Sequence, residues 1–302
     1  MIVITKNTEE ATFITHSGKF HADEIFGTIL LEKIYKDINL ARVPETNNIN
    51  IQSKIVYDIG GGKFDHHQSG GNGQRANGIK YAAFGLLWKE YGKKLLASMY
   101  ADNIDDCYNM FDKNFVQFID AVDNGQLELN KIDIKVVTVS DIIEGMNPNW
   151  DEEIDSDIKF EDALNIARQI FDNKIHSTIA KCKAKKYVEE AIENSTNGIM
   201  ILDRYMPYQE FVLESQNEKS KDILYAVFKS NRGGYNVRAI SKEVGSFESR
   251  KKFPQSWAGL RNEDLQKITG VNTATFCHNA CFICVADTFE DAVKLAELAV
   301  EN

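Results

Sequence analysis

Ala11-Thr12-Phe13-Ile14-Thr15 leads without a break into His16-Ser17-Gly18-Lys19-Phe20-His21-Ala22-Asp23-Glu24. The pattern predicts a short buried strand over 11–15, a loop over 16–20, and a helix over 21–35. That helix turns Ile25, Ile29 and Leu30 toward a core. Residues 40–43 and 54–59 read as two further strands, the second stopped by Gly60-Gly61-Gly62. Strand, helix, strand, strand at this spacing implies an α/β fold with a parallel sheet of the doubly wound kind.

Further along, 82–91 reads as a helix with Gly92 as its stop, and 114–122 as a helix ended by Asp123-Asn124-Gly125. The segment 141–162 holds nine acids and one lysine and reads as a solvated connector. A long polar helix is predicted over 161–194, strands over 199–202, 223–228, 235–240 and 282–286, and a closing helix over 289–300. The expectation is two domains, 10–195 and a smaller α+β domain 196–302, joined by the long helix.

Composition sets bounds. The 302 residues carry 45 acidic and 35 basic side chains, a formal charge of −10, with 43% apolar residues. No apolar run approaches the roughly 20 residues that span a bilayer. The first fifteen residues show neither the basic and apolar regions of a secretory signal nor any Arg of a transit peptide. Five cysteines, an odd number in a large chain, point to free thiols and a reducing, cytoplasmic setting. The acidic balance disfavours long duplexes held on a broad basic face. Locally it reverses: 229–261 has eight basic and two acidic residues, a balance of +6.

Four of the six histidines fall in two clusters, each following a predicted strand, where α/β sheets place their sites. His16 and His21 stand with Asp23 and Glu24; Asp65, His66 and His67 are contiguous; Asp58 ends the strand before them. Histidine with carboxylates suits a divalent metal such as Mn, Zn or Fe. A surface His-His pair is more often solvated than ligating, but three converging strand ends with ligand-type residues favour metal. His16-x4-His21 lacks the His-Glu-x-x-His spacing of zinc proteases, Gly60-Gly61-Gly62-Lys63 lacks that of a phosphate loop, and no Gly-x-Ser-x-Gly elbow occurs. Cys277, Cys281 and Cys284 have the Cys-x3-Cys-x2-Cys spacing of some iron–sulfur proteins. They run into a predicted strand that sends Cys281 and Cys284 to different faces, and buried free thiols are the expectation.

The segment 15–24 resembles the opening signature of the melanocyte-proliferating-gene family, also described as metal-dependent protein hydrolases. The resemblance continues through Val56-Tyr57-Asp58-Ile59-Gly60-Gly61, Phe64-Asp65-His66-His67-Gln68 and Asp120-Ala121-Val122-Asp123-Asn124-Gly125. It resumes at Lys242-Glu243-Val244-Gly245-Ser246-Phe247-Glu248-Ser249-Arg250, Trp257-Ala258-Gly259-Leu260-Arg261 and Phe276-Cys277-His278-Asn279-Ala280-Cys281-Phe282-Ile283. That family is similar to the Asp-His-His (DHH) phosphoesterases. The resemblance implies a DHH-like catalytic domain and a metal-dependent phosphodiesterase, a 3′–5′ exonuclease on short single-stranded RNA or DNA.

Two divalent cations are then expected, manganese first, with zinc, iron, cobalt or magnesium as the others. Asp58 would bridge them, with His16 and His21 on one side and Asp23, His66 and Asp123 on the other. His67 would contact the scissile phosphate or assist the leaving oxygen, and Asp65 would orient the imidazoles. Lys242, Arg250, Arg261 and His278 would contact substrate, whereas Arg238 reads as a solvated surface charge. A homodimer is compatible with the resemblance, and no membrane association is expected. The alternatives are a small-phosphate hydrolase of pyrophosphatase or nucleotide phosphatase type, a non-catalytic metal-binding interaction protein, and C–N bond hydrolysis suggested by the older family name.

Overall fold

Four short strands make the first sheet: β1 (Ile2–Thr5), β2 (Phe13–His16), β3 (Ile38–Val43) and β4 (Ile55–Val56), ordered β1-β3-β2-β4. The computed structural model describes residues 1–47, 49–99, 103–127 and 136–302. All three pairings are parallel, as the sequence predicts, with Phe13 opposite Leu40 and Ile55. A parallel neighbour requires a crossover, supplied by α1 (Ala22–Tyr35) between β2 and β3. The edge strand β1 was not foreseen. The strand predicted over 54–59 is cut to two residues because Asp58 takes φ +58°. Tyr57 still bridges to Phe64, which draws the following Asp-His-His segment alongside.

Against α1 pack α2 (Ala83–Met99) and α4 (Gln117–Asp123); α3 (Ile104–Phe111) packs on α2 and is joined to α4 by a π-helical turn at Asp112–Val116. Ile25, Ile29 and Leu30 are fully buried, as expected. An aromatic cluster fills the helical layer: Phe26 and Phe115 rings lie 5.0 Å apart, and Trp88 and Phe111 rings 4.6 Å. Gly92 does not end α2. It sits mid-helix beneath the Trp88 indole, where a Cβ would lie 2.6 Å from the ring. The glycine there serves packing, which a local stop signal cannot reveal.

The acidic segment is also more than a solvated connector. It contains α5 (Val139–Glu144) and the start of α6 (Ser156–Glu193). Asp157 is buried and accepts from Arg42 at 2.7 Å and from Lys6. The Arg42 guanidinium stands 4.3 Å over the Phe160 ring, so one acid of the run is structural.

The chain divides into compact units at Met1–Ile179 and Ala180–Asn302, within α6. The second unit holds β5 (Ile199–Leu202), α7 (Gln209–Glu214), α8 (Lys219–Asp222), β6 (Tyr225–Lys229), β7 (Tyr235–Ala239), α9 (Asn262–Thr269), β8 (Ala274–Cys277), β9 (Ile283–Ala286) and α10 (Phe289–Glu301). Its sheet runs β5-β6-β7-β9-β8, antiparallel except for β5 with β6. Val227, Val237 and Cys284 face a core closed by Leu295 and Ala299 of α10.

All five cysteines are free and buried. Cys277 and Cys284 are cross-strand partners. Strand β9 begins only at Ile283, so Cys281 lies in the preceding turn at φ +55° and reaches the same core as Cys284, not the opposite face. Among the described residues, no cysteine belongs to a group close enough to share a metal ion.

Candidate metal centre

His16 ends β2, and Asp58 follows its neighbour β4 by two residues, so parallel pairing brings them together. His16 Nε2 lies 3.2 Å from Asp58 Oδ2 and 3.1 Å from Glu24 Oε1. Glu24 also accepts from the His21 backbone N–H through both oxygens at 2.9 Å, closing the first turn of α1. Carboxylates at this end of a helix are favoured by the exposed N–H groups and the helix dipole. Asp23 accepts at 3.3 Å from the N–H of Ala83, the first residue of α2.

The other wall is built by the Asp-His-His segment and the end of α4. His66 Nε2 lies 2.9 Å from Asp123 Oδ2, and its Nδ1 3.4 Å from Asp58 Oδ1. Asp65 accepts from the Gly61 N–H at 2.7 Å and from the His67 N–H at 2.9 Å. Gly61 reaches this position at φ +67°, a conformation that favours glycine. Asp65 Oδ1 is also 3.0 Å from His67 Nδ1, whose side chain is 60% exposed. The glycine turn thus lets the backbone hold a carboxylate beside the site.

Nine residues fall into overlapping groups, and within each group the donor atoms lie within 4.8 Å of one another: Asp58 with Asp65, His66 and His67; His16 with His21 and Glu24; His21 with Asp23 and Asp123; and Asp23 with Glu24 and Asp58. The six residues predicted as ligands are therefore gathered into one site. Glu24 is the member that the sequence reading set beside the cluster without a role. Its signal is local: it stands three residues after the N-cap His21, the spacing of a capping acid.

Burial makes this arrangement costly without compensation. Asp23 and Glu24 are 0% exposed, and Asp58 is 3% exposed. Burial and the neighbouring charge of Asp58 push the Asp23 carboxyl well above the usual range, and burial and Glu24 raise Asp58. Burial alone would lower His16, but its hydrogen bonds to Asp58 and Glu24 prevail and lift it to about 10. His66 is raised by Asp123 and Asp58 against its own burial, while Asp123 is lowered by His66, again against burial. Asp23 Oδ1, Asp58 Oδ1 and His66 Nδ1 are buried without a hydrogen-bond partner. Imidazole and carboxylate donors aimed at a common space fit divalent cations, whose charge would offset the repulsion.

Distant groups hold the loop 16–21 in place. Asn147 accepts from the Phe20 N–H at 2.9 Å and donates to its carbonyl at 2.8 Å. Arg42 donates to the Gly18 carbonyl at 2.8 Å, and Lys19 pairs with Glu144. Neither Asn147 nor Arg42 carries a signal in the sequence, because the contacts join segments far apart along the chain.

The basic residues expected to bind substrate lie in the second unit. Lys242 pairs with Glu248 at 2.9 Å on the surface. Arg250 points NH1 at the carbonyls of Ser220 (2.5 Å) and Ile223 (2.9 Å), a structural contact around α8. Arg261 precedes α9, exposed, 4.6 Å over the Phe276 ring. His278 Nδ1 accepts from the Ala280 N–H at 2.9 Å, which leaves the neutral ring's proton on Nε2. Arg238 is half-buried on β7, not a freely solvated charge.

His and Asp beside the strand ends of a parallel sheet, with Asp23 and Glu24 in the first turn of α1, make a donor set that could hold a divalent cation. The chain belongs to the MYG1 family: the family model MYG1_exonuc, described as an uncharacterised protein family (UPF0160), matches residues 12–300. It is 30% identical to the MYG1 protein of Dictyostelium discoideum, over 95% of this chain and 95% of that protein. It is 27% identical to the MYG1 exonuclease of Homo sapiens over 93% of this chain and 84% of the relative. It is also 27% identical to that of Rattus norvegicus, over 93% and 82%. No solved structure matches the chain. Among the described residues, no helix is long and apolar enough to cross a membrane.

Proposed function

We propose that the chain is a metal-dependent phosphodiesterase, a 3′–5′ exonuclease on short single-stranded RNA or DNA, acting in the cytoplasm. The observation that carries this reading is the trio of unpartnered buried donors, Asp23 Oδ1, Asp58 Oδ1 and His66 Nδ1, inside one cluster of imidazoles and carboxylates. The relatives named exonuclease support the substrate class. The likeness to DHH phosphoesterases supports a first unit that is catalytic and a second that contacts substrate.

In this reading His16, His21, Glu24, Asp23, Asp58, His66 and Asp123 would hold the divalent cations, with Asp58 as the carboxylate common to both halves of the cluster. Such cations, manganese the first expectation, would supply Lewis-acid activation of water and charge neutralisation at the phosphate. Asp65 holds His67 through Nδ1, which directs Nε2 outward. From there Nε2 of the imidazolium form of His67 would donate to the scissile phosphate or to the leaving oxygen. Arg261 and His278 offer a guanidinium and an N–H donor to further phosphates, whereas Lys242 and Arg250, already engaged by Glu248 and by the carbonyls of Ser220 and Ile223, are secondary candidates.

A metal-reconstituted activity screen tests the proposal. Single-stranded RNA, single-stranded DNA, dinucleotides and pyrophosphate are offered with Mn, Mg, Co and Zn. Cleavage of single strands from the 3′ end is expected. Cleavage of pyrophosphate alone makes the chain a small-phosphate hydrolase, and no cleavage with any metal overturns the enzyme reading.

A further inference from the structure

The second unit's sheet has one apolar face in the core and another that carries polar and charged side chains. Cross-strand register sets Phe228 opposite Asn236 and Arg238 opposite Ile283. Alternation places these four on the face away from Val227, Val237 and Cys284, which enter the core. Strand β7 is the middle of five, so Arg238 stands at the centre of the sheet. A charged side chain there loses hydration on folding and calls for compensation.

The compensation does not come from an acid. Over this face lies a concavity of about 430 Å³, lined chiefly by Tyr205, Phe228, Arg232, Asn236, Arg238 and Ile283, with no carboxylate in its wall. Neither guanidinium forms an ion pair with a described residue. Arg238 lies 5.8 Å from the Phe282 ring, a cation–π contact that orients it without neutralising it. Phe228 is the buried floor, and Tyr205, 49% exposed, stands 5.5 Å from it as a wall. A second concavity of about 270 Å³ shares Tyr205 and Arg238, so the two form one groove. The smaller concavity brings in Glu243 and Glu210, the latter paired with Lys181, so the acid-free end of the groove is the one that holds Arg232 and Arg238, and it is that end that favours an anion.

We infer that this groove binds a nucleotide unit, its phosphate on Arg232 and Arg238 and its base against Tyr205. The volume is in the range of small-ligand sites. Asn236 offers both a donor and an acceptor to a base edge. The nucleotide has two sources, a free monophosphate or one residue of a single strand; in the second form the inference rests on the nuclease reading.

Calorimetric titration of the full chain with adenosine 5′-monophosphate, inorganic phosphate, adenosine and pentaadenylate tests it. Arg238→Met and Tyr205→Ala are each expected to weaken monophosphate binding about tenfold or more. Arg232→Ser, at an exposed position, gives a smaller loss and guards against misfolding of Arg238→Met. Pentaadenylate losing affinity in parallel identifies the strand as the source; losses confined to the monophosphate identify the free nucleotide. Unchanged monophosphate affinity in all three variants overturns the inference, as does inorganic phosphate binding as tightly as the monophosphate. Asp58→Ala separates the two readings: it should lose cleavage and keep groove binding. If the wild-type chain cleaves nothing while Arg238-dependent binding persists, only the nuclease reading falls.

Discussion

At the scale of single residues, Asp58 is the position on which the proposed metal centre turns. It faces His16, His66 and His67 from a left-handed backbone conformation and is almost wholly buried. Asp58→Ala is expected to lose bound manganese and activity together, read by metal analysis alongside turnover; activity surviving that change would refute the bridging role. Arg250 makes the opposite case. Its contacts with backbone carbonyls predict that Arg250→Ala lowers stability by about 1–3 kcal/mol while leaving bound metal intact. Denaturant titration checks this, and an unchanged midpoint would leave only a substrate role. Asp120 supplies a pH signature. Burial raises its carboxyl to about 7 despite Arg75 at 2.8 Å. Its folded value exceeds the unfolded one, so the stability it contributes is complete below about pH 4 and is lost as pH rises through about 7. Asp120→Asn should flatten that decline when melting is followed across this window.

At the scale of elements, the centre depends on how α2 meets α1 and α4. The start of α2 points N–H groups at Asp23 and, from Gly85, at Asp120, one turn before the ligand Asp123. A Cβ on Gly85 would fall 1.8 Å from Asp120 Oδ2. Gly85→Ala therefore forces α4 away and is expected to cost about 1–3 kcal/mol and much of the activity. Gly92→Ala should cost a similar amount through Trp88, which is fully buried and stacked on Tyr108, yet leave metal affinity near normal in the folded fraction. Comparing the two variants by thermal melting and metal titration separates packing from positioning. Local pattern located α1 and both histidine clusters well. It misplaced the end of α2, because a glycine that admits an indole looks the same as one that ends a helix.

At the scale of the whole molecule, charge is unevenly distributed. The metal centre concentrates acids in the first unit, while 229–261 carries +6 in the second. Divalent cations that bind only the folded site stabilise by mass action, about 2.7 kcal/mol at a hundredfold excess over Kd. Manganese is expected to raise the melting temperature of the first unit and leave the second unit's transition in place, and a chelator should reverse it. Scanning calorimetry with and without Asp58→Ala checks the assignment. A shift in the second unit alone would place the cation elsewhere.

The sequence by itself pointed to the candidate ligand types, the two histidine clusters near strand ends, the parallel sheet around β2, and the family. These follow from short-range pattern: alternation, turn glycines, and His or Asp at strand ends. Tertiary structure alone decided that Asn147 and Arg42 brace the loop 16–21, and that Asp157 is buried in an acidic run. It also decided that Arg238 is no stray surface charge. Each of these is a contact between segments distant along the chain, and only packing determines which distant groups share a space.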